Sequence, residues 1–297
     1  MATAIGQTVR TYTELTKPRL LPLVLVTGIP AMAMAGGQWP APATMAFVLL
    51  GIALAAAAAN TFNAYIERDL DKRMERTKDR PLPAGRLDPR AALAFGLVLT
   101  AISTAILSIW GGATAAALGV ATILFYVFVY TIWLKPRSAW NAVIGGAAGA
   151  AAPLIADAAA NGTLSAPGLV LLALVFFWQP PHVWAIALFR KAEYANAGFP
   201  VLPNVIGEAA TRRRIFVYTL GLVPVTLAPV VLGLSGALYL AVAVVANAWF
   251  VGHAVRVLRD HSPEAARGMF FASLGYLFAL FAAMIGELAF GLAPALS

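Results

Sequence analysis

Nine apolar runs follow one another along this chain, and every Lys and Arg falls in the gaps on one side of them. The runs lie at about 20–37, 43–66, 91–110, 113–134, 139–158, 165–187, 215–234, 236–255 and 268–290. A helix rises about 1.5 Å per residue, so roughly 20 apolar residues reach across a hydrocarbon core of about 30 Å. With the N-terminus placed inside, all 21 bases lie in the N-tail or in the connections after runs two, four, six and eight. None remains for the other side, which satisfies the positive-inside rule without exception. Inserting or deleting one run would reverse everything after it and destroy the bias. The expectation is an all-α, polytopic membrane protein of nine transmembrane helices, forming one membrane domain over residues 1–297. Its N-terminus is expected to be cytoplasmic and its C-terminus periplasmic.

Composition closes off other classes. Only 11% of residues are charged and 61% are hydrophobic, whereas about 25% charged is usual for a soluble domain. The net charge of +8 is first a topology signal; no soluble basic surface is left to present to nucleic acid. With no cysteine in the chain, disulfides, thiolate nucleophiles and thiolate metal sites are excluded. The tail before run one is polar, lacks a cleavage signal and is short for an organelle transit peptide, so a bacterial inner membrane is the expected location.

The chemistry concentrates in one stretch. Asn60–Leu82 reads NTFNAYIERDLDKRMERTKDRPL, and six of the chain's thirteen acids lie between Glu67 and Asp88. On a helix, Asn60, Asn63, Glu67 and Asp71 share a stripe at the inner end of run two, while Asp69 faces away. Charge brought to a bilayer is expensive and marks a functional site. Carboxylate and amide oxygens suit Mg²⁺, and the bases beside them suit phosphate. The bland alternative is a salt-bridged helix end, against which the two deeper amides, Asn60 and Asn63, count. Long inward connections at about 67–90 and 188–214 lie on one side, as binding loops would. The small residues of runs two and five are read either as tight helix packing or as room for a large ligand.

Several motifs then fall in order: LTKPR (Leu15–Arg19), NxxxExxxD (Asn63, Glu67, Asp71) continuing as RDxDxxMxRTxxRPL, YTIWLKPR (Tyr130–Arg137), NAVIGGAAGAAAPLIA (Asn141–Ala156) and PPHVWAIALFRKAEYANAGFPVLPNVIG (Pro180–Gly207). Over about residues 12–290 the chain resembles the UbiA superfamily of intramembrane prenyltransferases, and within it the branch that farnesylates haem. The resemblance implies nine helices around a central cavity capped by cytoplasmic loops. It implies transfer of farnesyl from farnesyl diphosphate to a vinyl group of haem b, with water added, giving haem O and diphosphate. Haem O would serve haem–copper terminal oxidases, directly or through a haem A synthase that is itself a possible partner. Most members of the superfamily carry a second DxxxD after run six; here that loop offers only Glu193, near His182, Arg190, Lys191 and Tyr194. One Mg²⁺ or two is left open.

In this reading Asn63, Glu67 and Asp71 bind metal and diphosphate, supported by Asn60. Lys78, Arg80, Lys135, Arg190, Lys191 and Arg19 are candidate diphosphate contacts, each also readable as an anchor to lipid headgroups. Phe125, Tyr126 and Tyr130 would shield an allylic cation or anchor the interface. His182, between Trp178 and Trp184, is a candidate iron ligand, base or interhelical hydrogen-bonding group. Competing functions are prenylation of a quinone precursor or chlorophyllide, a transporter, and a purely structural membrane subunit.

Overall fold

The computed structural model describes residues 2–294. In chain order it contains α1 (Ala2–Thr16), a 3₁₀ turn (Pro18–Leu20), α2 (Leu21–Ala35), α3 (Pro42–Asp71) and α4 (Pro89–Leu124), which runs on as a π-helix (Phe125–Leu134). Next come the short α5 (Asn141–Ile144) and α6 (Gly146–Gly149), then α7 (Ala151–Asn161) and α8 (Ala166–Phe189). The remainder is α9 (Lys191–Asn196), α10 (Leu202–Val205), α11 (Glu208–Val231), α12 (Ala237–Arg259) and α13 (Pro263–Ala289).

Among the described residues eight helices are long and apolar enough to cross a membrane. One of them, at 89–134, is 46 residues long, about twice what a crossing needs. Gly112, at φ 80° and ψ 176°, divides it with a backbone conformation that glycine adopts without steric cost. Beyond Gly112 the chain turns back. A Cβ placed on Gly119 would lie 2.7 Å from Leu107, though twelve residues of straight helix would hold the two about 18 Å apart. Among the described residues the nine expected crossings are present, the third and fourth joined by this tight reversal.

Two elements depart from expectation. The fifth crossing, expected as a single run, is α5, α6 and α7 broken at Gly145 and Ala150. Any side chain on Gly145 would overlap the Tyr130 ring, so the break admits that ring. Gln179 Nε2 packs into the break and donates to Gly146 O at 2.8 Å, a carbonyl that also accepts from Ala150 N at 2.9 Å. The N-tail, expected only as polar chain, is the helix α1. It packs buried Leu15 beside Ala64, Leu82 and Ala92, with Tyr12 edge-on to Phe95 at 4.9 Å.

The helix ends explain the lone acids on the base-free face. Asp157 Oδ2 accepts from Ser165 N at 2.8 Å and its Oδ1 from Gly168 N at 3.2 Å, at the start of α8. Glu287 accepts from Gly236 N at 2.7 Å and Tyr239 N at 2.8 Å, at the start of α12. Both carboxylates are buried and meet the positive ends of helix dipoles. A polar knot ties α11, α12 and α13: Tyr276 OH donates to Asn247 Oδ1, Asn247 Nδ2 to Thr226 Oγ1, and Tyr239 OH to Thr226 O. Ile109, Val231, Val245 and Phe278 face outward, each more than half exposed. Such a belt suits lipid rather than water.

On the base-rich face the two long connections fold onto one another. Met74 of the first is buried with Ala197 and Phe199 of the second, and Leu70, Tyr194 and Val201 close round them. Thr77 Oγ1 donates to Asp71 O at 2.8 Å, fixing the first loop to the end of α3. This cap lies over the inner end of α3.

Candidate active site

The Ala-rich stretch of α3 brings the helix into the middle of the bundle, so its polar stripe arrives buried. Asn60, Asn63, Glu67 and Asp71 are all at most 8% exposed. Asp69, one face round, is exposed and pairs with Lys72 at 2.9 Å. Each oxygen-bearing member of the motif meets a base delivered by a different part of the chain. Lys17 Nζ donates to Asn63 Oδ1 at 2.8 Å, Lys135 Nζ to Glu67 Oε2 at 2.7 Å, and Arg80 Nη1 to Asp71 Oδ2 at 3.0 Å. Asn60 Nδ2 donates to Thr16 O at 3.1 Å, tying the junction before α2 to the stripe.

Three backbone features make this possible. Lys17 adopts φ 51°, the sole positive φ at a non-glycine among the described residues, a conformation that costs energy and persists where the surroundings enforce it. The π-helix spaces Lys135 five residues after Tyr130, with Lys135 N bonded to Tyr130 O at 2.9 Å. Wide turns of this kind are frequent at functional sites. The same geometry returns Thr131 Oγ1 to Tyr126 O at 2.9 Å, leaving Thr131 to receive Asn63 Nδ2 at 3.4 Å.

The cations differ in character. Burial, with Lys135 and Arg80 adding repulsion, pushes the Lys17 ammonium down to about 7. For Lys135 burial works in the same direction, but Glu67 and then Tyr130 outweigh it and hold its pKa above the ordinary lysine value. Lys135 Nζ also lies 5.0 Å from the centre of the Phe199 ring, contributed by the second loop. Glu67 Oε1 is 2.5 Å from Lys135 Nζ yet receives no properly directed hydrogen bond and is buried. Both carboxylate oxygens of Glu67 thus face the Lys135 ammonium.

The other expected bases lie elsewhere. Lys78 is half exposed and pairs with Glu75; Lys191 pairs with Glu208 at 3.1 Å. Arg190 donates to Glu193 Oε1 at 2.8 Å, and Glu193 also faces Arg76 at 3.9 Å. Arg19 is exposed at the rim of a cavity. None of these four touches the stripe. Lys17, Thr131 and Phe199 were not singled out from sequence; of these, Lys17 alone had a local signal, as a base beside Pro18 at the start of a span.

Two cavities open from this region. One, about 180 Å³, runs between α2, α3, α4 and α7 from Asn60 past Ala55, Ala56 and Ile52 to Ile155. The other, about 610 Å³, is bounded by Tyr126, Tyr130, Gly145, Trp178, His182 and Phe270. Tyr126, Leu20, Val24 and Gly149 border both. His182 Nδ1 lies 2.6 Å from Ser273 Oγ, and its ring stacks on Trp178 at 4.5 Å. The small residues of the second and fifth crossings thus serve both readings: Gly145 and Gly149 are tightly packed against Tyr130 and Gln179, while Ala55, Ala56 and Ala152 line the groove.

Among the described residues no three His, Cys, Asp or Glu side chains are gathered closely enough to hold a metal alone. A cation here would need the Asn63 amide oxygen and ligands brought by a bound molecule. A narrow apolar groove, an anion-ready end and a broad second chamber together describe a site for an amphiphile whose charged head and long tail are held apart from a second, larger substrate.

Comparison with known proteins gives the same picture. The model of the UbiA prenyltransferase family matches residues 24–275. The protoheme IX farnesyltransferase of Methylobacterium radiotolerans is 45% identical over 294 residues, covering 98% of this chain and 93% of that protein. That of Symbiobacterium thermophilum is 45% identical over 282 residues, 94% of each chain. Among solved structures, a digeranylgeranylglyceryl phosphate synthase shares the fold with a TM-score of 0.78 at 17% identity, covering 95% of this chain and 99% of the other. A UbiA homologue from Archaeoglobus fulgidus bound to DMAPP and Mg²⁺ has a TM-score of 0.64 at 16% identity, over 93% and 99%.

Proposed function

The chain belongs to the UbiA prenyltransferase family, and on that premise we propose that it transfers the farnesyl group of farnesyl diphosphate to haem b, giving haem O and diphosphate. The observation that carries this reading is the near-full-length likeness to protoheme IX farnesyltransferases. The geometry supports it with a tail groove, a base-lined polar end and a separate chamber that meet at Tyr126.

The residues divide the work as follows. The prenyl chain lies along the Ala55–Ile155 groove, and its diphosphate reaches the stripe of α3. As the allylic C1–O bond breaks, negative charge builds on the departing diphosphate, where Lys17, Arg80 and Lys135 are within one side chain of Asn63, Glu67 and Asp71. Cations preset where charge develops act as transition-state stabilisers. Asn63, Glu67 and Asp71 offer hard oxygens of the kind Mg²⁺ takes together with oxygens of a bound phosphate. Held by these residues, Mg²⁺ would supply further neutralisation of the leaving group. The π faces of Tyr126 and Tyr130 shield the allylic carbon. A haem vinyl group in the larger chamber gives its π electrons to C1. Water adds to the vinyl carbon left positive and loses one proton, so farnesyl and hydroxyl both end on the haem.

This chemistry proceeds on the cytoplasmic side of a bacterial inner membrane, from a single membrane domain, and feeds haem–copper oxidases or a haem A synthase. The test is to incubate purified protein in detergent with haem b, farnesyl diphosphate and Mg²⁺ and to look for haem O by mass spectrometry. Product that vanishes with EDTA is expected. Farnesyl appearing on a phenolic acceptor and not on haem would overturn the substrate assignment.

A further inference from the structure

His182 sits in the wall of the larger chamber with one nitrogen committed and one free. The committed one, Nδ1, lies 2.6 Å from Ser273 Oγ. Ser273 has a single hydroxyl proton, and it is spent: Oγ donates to Phe270 O at 2.6 Å. Toward His182 the hydroxyl can therefore only accept, which places the imidazole proton on Nδ1 and leaves the lone pair on Nε2. Among the described residues Nε2 has no hydrogen-bond partner, and the ring borders the cavity. Rotation of the ring is blocked by Trp178, stacked at 4.5 Å and 25°, and by Phe270 at 4.9 Å. Trp178 is itself pinned, its Nε1 donating to Ser273 O at 2.8 Å.

A neutral imidazole with one nitrogen bonded to an acceptor and the other bare is the form in which histidine binds metals. We propose that His182 Nε2 is the axial ligand to the iron of the haem acceptor, and that Ser273 is a positioning residue that holds His182 in the tautomer able to ligate. The proposal rests on the haem reading above. Ligation at one fixed point would set the depth of the macrocycle and so determine which vinyl edge meets the donor groove at Tyr126. His253 and His261, the other two histidines, are not part of this chamber.

The test adds haemin to the full-length protein in detergent, reduces it with dithionite, and records optical and resonance Raman spectra without farnesyl diphosphate. The wild type is expected to show an iron–histidine stretch, which His182→Ala loses and free imidazole replaces with an imidazole-ligated spectrum. Ser273→Ala is expected to weaken haem binding by about tenfold, the usual scale for loss of a partner behind a metal ligand, and to shift the iron–histidine band. Ser273→Thr should restore both, which a merely structural serine would not require. His253→Ala should change nothing. An unchanged spectrum in His182→Ala with haem still bound would overturn the ligation while leaving haem as the substrate. Failure of the folded wild type to bind haem at all would overturn both.

Discussion

Lys135 and Glu67 are 68 positions apart in sequence and share a hydrogen bond of 2.7 Å at the centre of the polar stripe. Their side chains are 21% and 6% exposed. Removing one partner strands the other, and breaking a buried pair costs about 3 kcal/mol or more. Lys135→Met is therefore expected to lower the unfolding midpoint and abolish turnover together. Lys135→Met combined with Glu67→Gln should recover most of the stability and none of the activity. Thermal unfolding in detergent alongside haem O formation separates the two effects; recovery of both would mean the pair is only structural.

Asp71 is the member whose partner tolerates an amide. Arg80 Nη1 bonds Oδ2 at 3.0 Å, a bond that an amide oxygen also accepts. Asp71→Asn should keep the fold, by circular dichroism and gel filtration, and cost about 100-fold in turnover, the scale set by losing one electrostatic contact to a transition state. Near-normal turnover would remove Asp71 from the metal–diphosphate site.

Lys17 carries opposite consequences for stability and binding. Its φ of 51° is unfavourable for a side-chain-bearing residue by about 1 kcal/mol or more, and glycine would relieve it. Lys17→Gly is expected to hold or raise the unfolding midpoint while weakening farnesyl diphosphate binding by about tenfold, as loss of one charged hydrogen bond implies. Equilibrium binding of a non-reactive farnesyl diphosphate analogue gives the second quantity. A drop in stability with unchanged affinity would refute the assignment.

Glu287 tests the far face. Its two backbone bonds at the head of α12 are worth about 2 kcal/mol as charge-assisted contacts. Glu287→Ala should lower the unfolding midpoint by several degrees and leave turnover per folded molecule unchanged, since no site residue is near that end.

The crossings and the stripe were legible because both are local or cumulative patterns. Twenty-one bases on one side fix the number of reversals, and Asn63, Glu67 and Asp71 recur at helical spacing. What lay hidden depends on contacts between distant segments. Lys17 reaches Asn63 across 46 positions, and a lysine before a proline at a membrane surface reads equally well as an anchor. Ser273 acts through His182, 91 positions away, and a serine in an apolar run carries no pattern of its own. Lys78 shows the converse. It is two residues from Arg80, yet the turns after α3 send it outward onto Glu75, a reversal that spacing alone does not encode. The break in the fifth crossing was written in its glycines, but only the Tyr130 ring shows what it is for.

The three bases on the stripe come from positions 17, 80 and 135, whereas Trp178, His182, Phe270 and Ser273 all come later. Of the two cavities, the groove draws on nothing beyond Ile155, whereas the larger chamber also takes its far wall from α8 and α13. Substitutions in α8 and α13 would therefore reshape the larger chamber while leaving the lining of the groove as it is.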